Sequence, residues 1–358
     1  MTKYLEILFS LLRIALWHRS SDVARFENID EQTWDKVMRT ASQHQVFALA
    51  FDGAMLLPDS LKPPRMLRLA WAAQVDKIEK QYACKAEIAQ EIETLLAANN
   101  IKMLLFKGFT LAKCYPTPAH RQFGDLDIYC FGKLKQANRL LTEQGAHKSY
   151  DSYKHKCVVY KKVLIENHKF FLNTHDSWKI KASDKALKKI IANDKDFEKW
   201  SDFPVDFQAL FYIWHTIHHF SWEAFSVRLI TDMAVFWKTN IEKINIDFYL
   251  KTLQSVGLLK QANAITALVV RFLDIDKKDT PPFETDEEFE DKILAHMFSH
   301  YVLPPKNAKL NFGEVLKIKW ERFFHRAKSY ELIYPKENYR RFISSTVSNL
   351  KNRSFFRR

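Results

Sequence analysis

The sequence predicts an α+β protein in which a small mixed β-sheet core is flanked by N-terminal and C-terminal helical regions. Three observations indicate this class. Residues 1–99 have the composition and spacing of helices, residues 100–175 hold short β-branched and aromatic runs between turn residues, and residues 176–358 return to long apolar segments. These stretches are the three predicted domains. With 358 residues, 47% of them hydrophobic, the chain is long enough to bury a sizeable core.

The first segment of the N-terminal region predicts a helix that packs on the body of the protein. Its apolar stretch is interrupted by Glu6 and Arg13, and no A-x-A site follows, which disfavours a signal peptide. Leu5, Leu8 and Leu12 lie near helical spacing, so we expect an amphipathic helix.

Two further stretches of the N-terminal region are also predicted to be helical. Residues 33–57 show helical periodicity. Residues 63–100 predict one long helix, because two prolines precede it, Ala, Glu, Lys and Gln dominate it, and two asparagines end it.

The central region predicts the sheet, in the order β-α-β-α-β-β. The pattern gives a strand at 101–106, a short helix at 108–115, a proline-containing loop at 115–124, a strand at 125–131, a helix at 132–145 closed by Gly145, and strands at 156–162 and 162–172.

The C-terminal region predicts a set of apolar helices. They are expected at 206–220, 221–240 and 251–273, with an acidic stretch at 276–291 that leads into another helix.

Composition excludes several classes of function. The chain has seven glycines and contains neither a P-loop nor a G-x-G-x-x-G pattern, which argues against P-loop and Rossmann chemistry. Its four cysteines form no C-x-x-C pair, so we expect free thiols in a reducing compartment, and hence a cytoplasmic protein. No stretch predicts a transmembrane span.

The net charge of +13 is concentrated at the C-terminal end. Residues 305–358 contain 14 Lys or Arg and four Glu, which accounts for ten of the thirteen net positive charges. This basic tail favours contact with a polyanion such as nucleic acid, nucleotide phosphate or an anionic membrane. A solvated helical face in a basic protein is the alternative.

Carboxylates on two predicted strands are the main candidates for chemistry. Side chains of a strand alternate between its faces, so Asp125 and Asp127 point to one side. Glu166 and His168 share a face of a later strand. If the two strands are neighbours, the three carboxylates converge, and such a patch of hard oxygen ligands suits Mg²⁺ or Mn²⁺. The metal ligands predicted here are therefore Asp125, Asp127 and Glu166.

A turn upstream of these carboxylates predicts a phosphate site. Gly108 would open a helix at the mouth of the sheet, where free backbone N–H groups attract phosphate and a missing side chain permits close approach. Lys107 and Arg121 would supply positive charge. Each residue also has a plainer interpretation: the lysine as a solvated strand end, Arg121 as a partner of Asp125, and Glu166 as an outward-facing residue.

A histidine cluster lies on a predicted helix farther along the chain. His215, His218 and His219 lie at positions i, i+3 and i+4, and Arg228 and Asp232 follow on the next helical segment. These side chains could line the binding site for the acceptor, or they could bind a metal. Alternatively, they are buried polar groups in which each imidazole is hydrogen-bonded to a carboxylate such as Asp232.

The order of these elements resembles the nucleotidyltransferase superfamily that includes DNA polymerase β and the aminoglycoside nucleotidyltransferases. More closely, the chain resembles the bacterial uncharacterised nucleotidyltransferase family. The resemblance rests on Lys107–Gly108, Tyr115–Pro116, Arg121, Asp125, Asp127 and Glu166–His168, on the HTIHHF and VRLITDMAVF segments, and on YELIYPKENYRR. The turn departs from the wider superfamily, since Lys-Gly-Phe replaces Gly-Ser or Gly-Gly and the serine contact to phosphate is absent.

This resemblance implies Mg²⁺-dependent transfer of a nucleoside monophosphate from an NTP to an acceptor, with release of pyrophosphate. Asp125, Asp127 and Glu166 would be catalytic, and Lys107, Gly108 and Arg121 would contact the triphosphate. His168, His215, His219 and Asp232 would bind the acceptor or orient the metal ligands. The acceptor could be a small molecule, a protein or RNA. The alternative is a catalytically inactive scaffold of the same fold that binds a nucleotide, a polyanion or RNA.

Overall fold

A computed structural model of the chain describes residues 2–174, 178–193, 203–222, 226–298 and 311–334. Within these ranges the protein combines helices with one mixed sheet, as the sequence predicts. The helices are α1 Lys3–Trp17, α2 Glu31–Gln43, α3 Phe47–Met55, α4 Arg65–Ala98, α5 Gly108–Ala112, α6 Leu134–Glu143, α7 Trp178–Asn193, α8 Val205–Trp222, α9 Val227–Asn240, α10 Ile246–Ser255, α11 Leu259–Leu273, α12 Glu287–Phe298 and α13 Phe312–Ile333. The strands are β1 Leu104–Phe106, β2 Asp125–Tyr129, β3 His147–Asp151, β4 His155–Tyr160 and β5 Val163–His168.

The sheet has five strands in the spatial order β1-β2-β5-β4-β3. Strands β2 and β5 are parallel, and the other neighbours are antiparallel. The sequence predicted four strands instead of five, because β3 was not predicted. Its sequence, HKSYD, is polar and mostly exposed at the sheet edge, so it lacks the apolar alternation that signals a half-buried strand.

Apolar layers cover both faces of the sheet. On one face, Leu126 and Ile165 pack with Ile88 and Ile92 of α4 and with Leu141 of α6. On the other face, the aromatic rings of the C-terminal helices and of the segment after β5 take this role. The Phe106 ring lies 5.3 Å from the ring of Phe171 and 5.2 Å from that of Phe211.

The long helix predicted at 63–100 is confirmed as α4, and so are the residues predicted to start and end it. It starts directly after Pro64, which lacks the backbone N–H that a helix start would leave unpaired. It ends before Asn100, which adopts a left-handed conformation with φ of 56°.

Two predicted helical stretches are each divided in two. Residues 33–57 form α2 and α3, with a break at Gln45, whose φ is 58°. Residues 251–273 form α10 and α11 around Gly257, whose φ is 66°. A single left-handed residue cannot continue a right-handed helix, and this explains both breaks. Part of the helix predicted at 221–240 lies outside the described residues.

The hairpin between β4 and β5 sets the position of the later site residues. Its two turn residues, Lys161 and Lys162, have φ of 47° and 69°. Positive φ at both central residues is the geometry of a two-residue turn that matches the twist of the flanking strands. The turn therefore brings β5 back along β4, so that Cys157 lies opposite Glu166.

The N-terminal helix α1 packs against α2, α3 and the end of α11. The expected amphipathic helix is buried on most of its surface. The Trp17 indole donates to the carbonyl of Leu273 at 2.6 Å, and Arg13 Nη1 donates to the carbonyl of Phe272 at 3.0 Å. The boundary predicted between residues 175 and 176 lies outside the described residues, and the three-domain division stays a prediction.

Two other expectations concern cysteines and membranes. All four cysteines are free thiols. Among the described helices, none has the length and apolarity required to cross a bilayer.

The contact between α1 and α3 predicts a strong effect of one substitution. A Cβ atom added at Gly53 would lie 2.1 Å from the Leu11 carbonyl oxygen, a backbone atom that cannot move aside cheaply. We expect Gly53→Ala to lower the free energy of unfolding in urea by about 1–3 kcal/mol or more. Gly124→Ala is the matched control, since no atom lies within 4 Å of its added Cβ. Equal stabilities of the two variants would contradict this packing.

Candidate active site

Parallel pairing of β2 and β5 places the predicted acidic residues side by side. Asp127 is the register partner of Glu166, and Asp125 is the partner of Leu164. Register partners on neighbouring strands point to the same face of a sheet. The condition set by the sequence, that the two acidic strands are neighbours, is therefore met.

Asp127 is the most strongly bonded carboxylate of this patch. It is 3% exposed, and its Oδ1 accepts hydrogen bonds from Lys107 Nζ and from His168 Nε2, both at 2.7 Å. Burial raises the pKa of Asp127, but the charge of Lys107 and the bond from His168 outweigh it and hold this pKa well below its usual range. Asp127 is therefore ionised at neutral pH.

Lys107 is the matching buried cation. Burial lowers its pKa, whereas the charges of Asp127, Asp125 and Glu166 raise it, and the net shift is upward. Its φ of 66° is a left-handed conformation that a residue with a side chain rarely adopts. Such strain costs about 1–3 kcal/mol and is concentrated at functional sites. The turn places the ammonium group directly against Asp127.

Glu166 joins the patch from the neighbouring strand. Its Oε1 accepts from the Tyr150 hydroxyl at 2.8 Å, and its Oε2 lies 3.3 Å from His155 Nε2 and 3.7 Å from His168 Nε2. Burial raises the pKa of Glu166, but the neighbouring His168, His155 and Lys107 lower this pKa by a larger amount, so that it falls below its ordinary value.

His168 connects the two carboxylates. Its Nδ1 lies 3.0 Å from the carbonyl oxygen of Phe170, and its Nε2 faces Asp127. Both neighbours are acceptors, so both ring nitrogens donate only when the imidazole is doubly protonated. If a cation took the place of that proton, Nε2 would present a lone pair to it. One ligand atom each from Asp127, Glu166 and His168 lie within 4.8 Å of one another.

Asp125 lies on the same face but outside this closest group of three ligand atoms. Burial raises its pKa, and the negative charge of Asp127 raises it further, to about 6. Two adjacent carboxylates without enough countercharge cannot both ionise cheaply, and here the less strongly bonded one keeps its proton to higher pH.

Gly108 has a packing role that the sequence did not reveal. The helix α5 starts at this residue, as expected, but is only five residues long. A Cβ atom added at Gly108 would lie 3.2 Å from the ring of Phe123, tighter than ordinary van der Waals contact. The absence of a side chain therefore lets Phe123 pack over the turn.

The structure does not bring Arg121 into the acidic patch. Arg121 is 3% exposed and forms a bidentate ion pair with Asp232, with Nε to Oδ1 at 2.7 Å and Nη2 to Oδ2 at 2.8 Å. Its Nη1 donates to the carbonyl of Gly108 at 3.1 Å. Tyr115 and Arg228 complete the bonding of Asp232, at 2.7 and 3.1 Å. This buried network joins the α5 turn to α9.

Of the α8 histidines, His215 lies near Lys107 rather than among the carboxylates. The His215 ring stacks on Phe211 at 5.6 Å and meets the His219 ring at 4.2 Å. Burial, followed by the charge of Lys107, lowers the pKa of His215 well below its usual value, so His215 is neutral at physiological pH. Among the described residues, neither histidine belongs to a group of three potential metal ligands.

Three site residues were missed by sequence reasoning: Tyr150, Lys154 and His155. Tyr150 lies on β3, which was not predicted. Lys154 lies in the turn between β3 and β4, and His155 is the first residue of β4. Burial lowers the pKa of Lys154 to about 8, with a further contribution from the positive charge of Lys107. Burial and the charge of His168 lower the pKa of His155 to about 3. The H-x-C pattern of β4 was the one available signal.

A cleft opens beside the start of β2. Its volume is about 200 Å³, and it is lined by Gln45, Ile78, Gln81, Tyr82, Lys85, Ala119, Arg121, Gln122, Phe123 and Gly124. Lys85 Nζ donates to the carbonyl of Phe123 at 2.5 Å. Because Gly124 directly precedes Asp125, the cleft ends next to the acidic patch.

The fold and the site together define a class of protein. A mixed sheet carries two aspartates on one strand and a third carboxylate on the parallel neighbour, behind a lysine-glycine turn that leads into a helix. Together with a match to a nucleotidyltransferase family model, this arrangement identifies a transferase of phosphorus-containing groups.

The chain belongs to the uncharacterised nucleotidyltransferase family, whose model matches residues 30–274. That match spans the first acidic strand, the second acidic strand and the Arg121–Asp232 network. Comparisons with curated proteins and with solved structures give no match.

The buried network predicts a large loss of stability when one charge is removed. Asp232→Asn would leave Arg121 buried beside a neutral partner, and we expect the free energy of unfolding to fall by about 3–5 kcal/mol. The control is Glu143→Gln, which breaks the exposed pair with Arg139 and is expected to cost less than about 1 kcal/mol. Comparable losses in urea titrations of the two variants would contradict this account.

The raised pKa of Asp125 predicts a pH-dependent gain of stability on its removal. The folded pKa of about 6 exceeds the ordinary 3.8, so ionisation of Asp125 costs stability as pH rises through this window. We expect Asp125→Asn to stabilise the protein by on the order of 2 kcal/mol at about pH 8, and by little at about pH 4.

The matched control for this substitution is Asp151→Asn, at an exposed aspartate of the same sheet. Chemical denaturation of all three proteins at both pH values gives the comparison. A stability difference between native protein and Asp125→Asn that does not change with pH would show that Asp125 titrates normally.

Proposed function

We propose that this protein transfers a nucleoside monophosphate from an NTP to an acceptor, with Mg²⁺ or Mn²⁺ as cofactor and pyrophosphate as the second product. The observation that carries the proposal is the direct cross-strand pairing of Asp127 with Glu166, with Asp125 on the same face and Lys107 in contact. Nucleotidyl transfer requires cations and acidic groups to meet at one point, because the reaction rearranges a highly charged triphosphate.

The residues present fit a hard divalent cation. Asp127 and Glu166 offer carboxylate oxygens, the ligands that Mg²⁺ and Mn²⁺ prefer, and His168 Nε2 adds an imidazole within the same 4.8 Å group. Asp125 lies close enough to interact electrostatically with both carboxylates. When bound, a divalent cation would neutralise phosphate charge and lower the pKa of an attacking hydroxyl.

The chain's own residues have separate tasks in this proposal. Lys107 would turn from Asp127 to a phosphate oxygen, for which its ammonium is a compact countercharge. Glu166 is ionised at neutral pH and would take the proton of the acceptor hydroxyl. His168 would hold Asp127 in place. Arg121 was predicted to contact the triphosphate, but its contacts favour a role in positioning the Gly108 turn.

The acceptor side of the reaction stays open between a small molecule, a protein and RNA. The cleft beside Gly124 and the α8 histidines are the two places that support an acceptor site, because each adjoins the acidic patch. Most of the basic tail proposed for polyanion contact lies outside the described residues. We also propose a cytoplasmic location, which free thiols support.

A second candidate is a non-catalytic nucleotide-binding protein of the same fold. It is favoured by one observation, that Lys107 and His168 already satisfy Asp127 Oδ1. In such a protein Lys107 would be a permanent structural partner of Asp127 and would not exchange it for phosphate.

Pyrophosphate release from NTPs in the presence of Mg²⁺ or Mn²⁺ separates the two candidates. We expect turnover by the native protein and a loss of at least about a hundredfold in Asp127→Asn, because a charge needed to stabilise the transition state is removed. Asp151→Asn keeps the same chemistry at an exposed position of the sheet and should retain activity. Equal pyrophosphate release from native protein and Asp127→Asn would refute the enzymatic proposal.

A further inference from the structure

A second group of ligand atoms lies one strand away from the acidic patch. On β4, Cys157 is the register partner of Glu166, and His155 is the partner of His168. Asp127, Glu166 and Cys157 therefore form a continuous row across three neighbouring strands. Cys157 is fully buried, with 0% of its surface exposed, although it is not needed for the proposed phosphate chemistry.

The distances within this group suit metal coordination. The Cys157 sulfur lies 3.4 Å from His155 Nδ1, and Glu166 Oε2 lies 3.3 Å from the other ring nitrogen, Nε2. Only one of these two nitrogens would bind a given ion. One ligand atom from each of the three residues lies within 4.8 Å of the other two. Bonds of about 2.0–2.3 Å in a tetrahedral site place neighbouring ligand atoms about 3.5 Å apart. Rotation of the Cys157 or Glu166 side chain would bring the three ligand atoms from within 4.8 Å to about this spacing around one His155 nitrogen.

The three ligands favour a different ion from the one that suits the acidic patch. A thiolate and an imidazole are soft or borderline ligands, which favour Zn²⁺ and related ions and disfavour Mg²⁺. Neutral imidazole is a common metal ligand, and His155 would bind the ion through the lone pair of one ring nitrogen. The Tyr150 hydroxyl, bonded to Glu166 Oε1, would orient the carboxylate.

We propose that His155, Cys157 and Glu166 form a binding site for a thiophilic divalent cation of the zinc class, which shares Glu166 with the proposed Mg²⁺ site. On binding, the Cys157 thiol releases its proton to solvent as the metal–sulfur bond forms, so one proton is released per ion. Three protein ligands leave a fourth position, which water or His168 Nε2 fills.

The shared residue gives this site a consequence for the proposed function. Glu166 belongs both to this group and to the group with Asp127 and His168. An ion held by Cys157 and His155 draws Glu166 away from the acidic patch, and zinc-class ions would therefore inhibit nucleotidyl transfer. This consequence rests on the proposed function, whereas the binding site itself does not.

Titration of the full chain with Co²⁺, in the presence of excess Mg²⁺ and a non-thiol reductant, tests the site directly. A cobalt–thiolate bond produces a charge-transfer absorption in the near ultraviolet, and an ion held by oxygen and nitrogen alone does not. We expect this absorption to saturate at one ion per chain and to be lost in Cys157→Ser. Cys84→Ser, at an exposed cysteine of α4, should retain it.

A variant that keeps the sulfur provides a second measurement in case Cys157→Ser does not fold. His155→Gln should retain the absorption and weaken Co²⁺ binding by at least about tenfold. Absence of the absorption in native protein, its persistence in Cys157→Ser, or unchanged affinity in His155→Gln would overturn the proposal. Because the readout is absorption, a chain without nucleotidyltransferase activity would still give the expected result if the metal site exists.

Discussion

The neutralisation of one buried carboxylate is the constraint on which the rest of the site depends. Asp127 is 3% exposed on β2, an interior strand of the sheet, where an unpaired charge would cost several kcal/mol. Lys107 and His168 remove that cost by bonding the same oxygen. Lys107 reaches it from a strained turn with positive φ, and His168 reaches it because β5 runs parallel beside β2. The Lys107 turn and the pairing of β2 with β5 therefore act together to stabilise the charge of Asp127.

A second buried ion pair supports the turn that carries Lys107. Arg121 binds both oxygens of Asp232 on α9 and the carbonyl of Gly108, at the start of the helix that follows Lys107. The ring of Phe123 packs against the same glycine. The turn is therefore supported by the α9 helix and by the segment that precedes β2. A charge pair that is 111 positions apart in sequence keeps Lys107 in its unfavourable conformation.

Local patterns in the sequence predicted the acidic strands, the long helix α4 and the fold class, because each depends on periodicity or on residues within a few positions. The partner of Arg121 was not predictable in this way, since Asp125 and Asp232 are equally suitable by charge and only tertiary packing selects between them. Strand β3 was missed for a different reason: an exposed edge strand buries little and needs no apolar alternation. Tyr150 was missed with it, whereas Lys154 and His155 lie just before residue 156, where the next strand was predicted to begin.

The same arrangement of charges explains why metal and nucleotide would bind together. A divalent cation at Asp127 Oδ1 would compete with Lys107 for one oxygen, and a displaced lysine would be left as a second cation beside it. Lys154, already held at a lowered pKa by burial and by Lys107, would add to this repulsion. A triphosphate would relieve this repulsion, because its oxygens can accept hydrogen bonds from both lysines and can also be ligands for the cation. In the proposed enzyme, therefore, neither ligand alone satisfies the charges of the site, and each favours binding of the other.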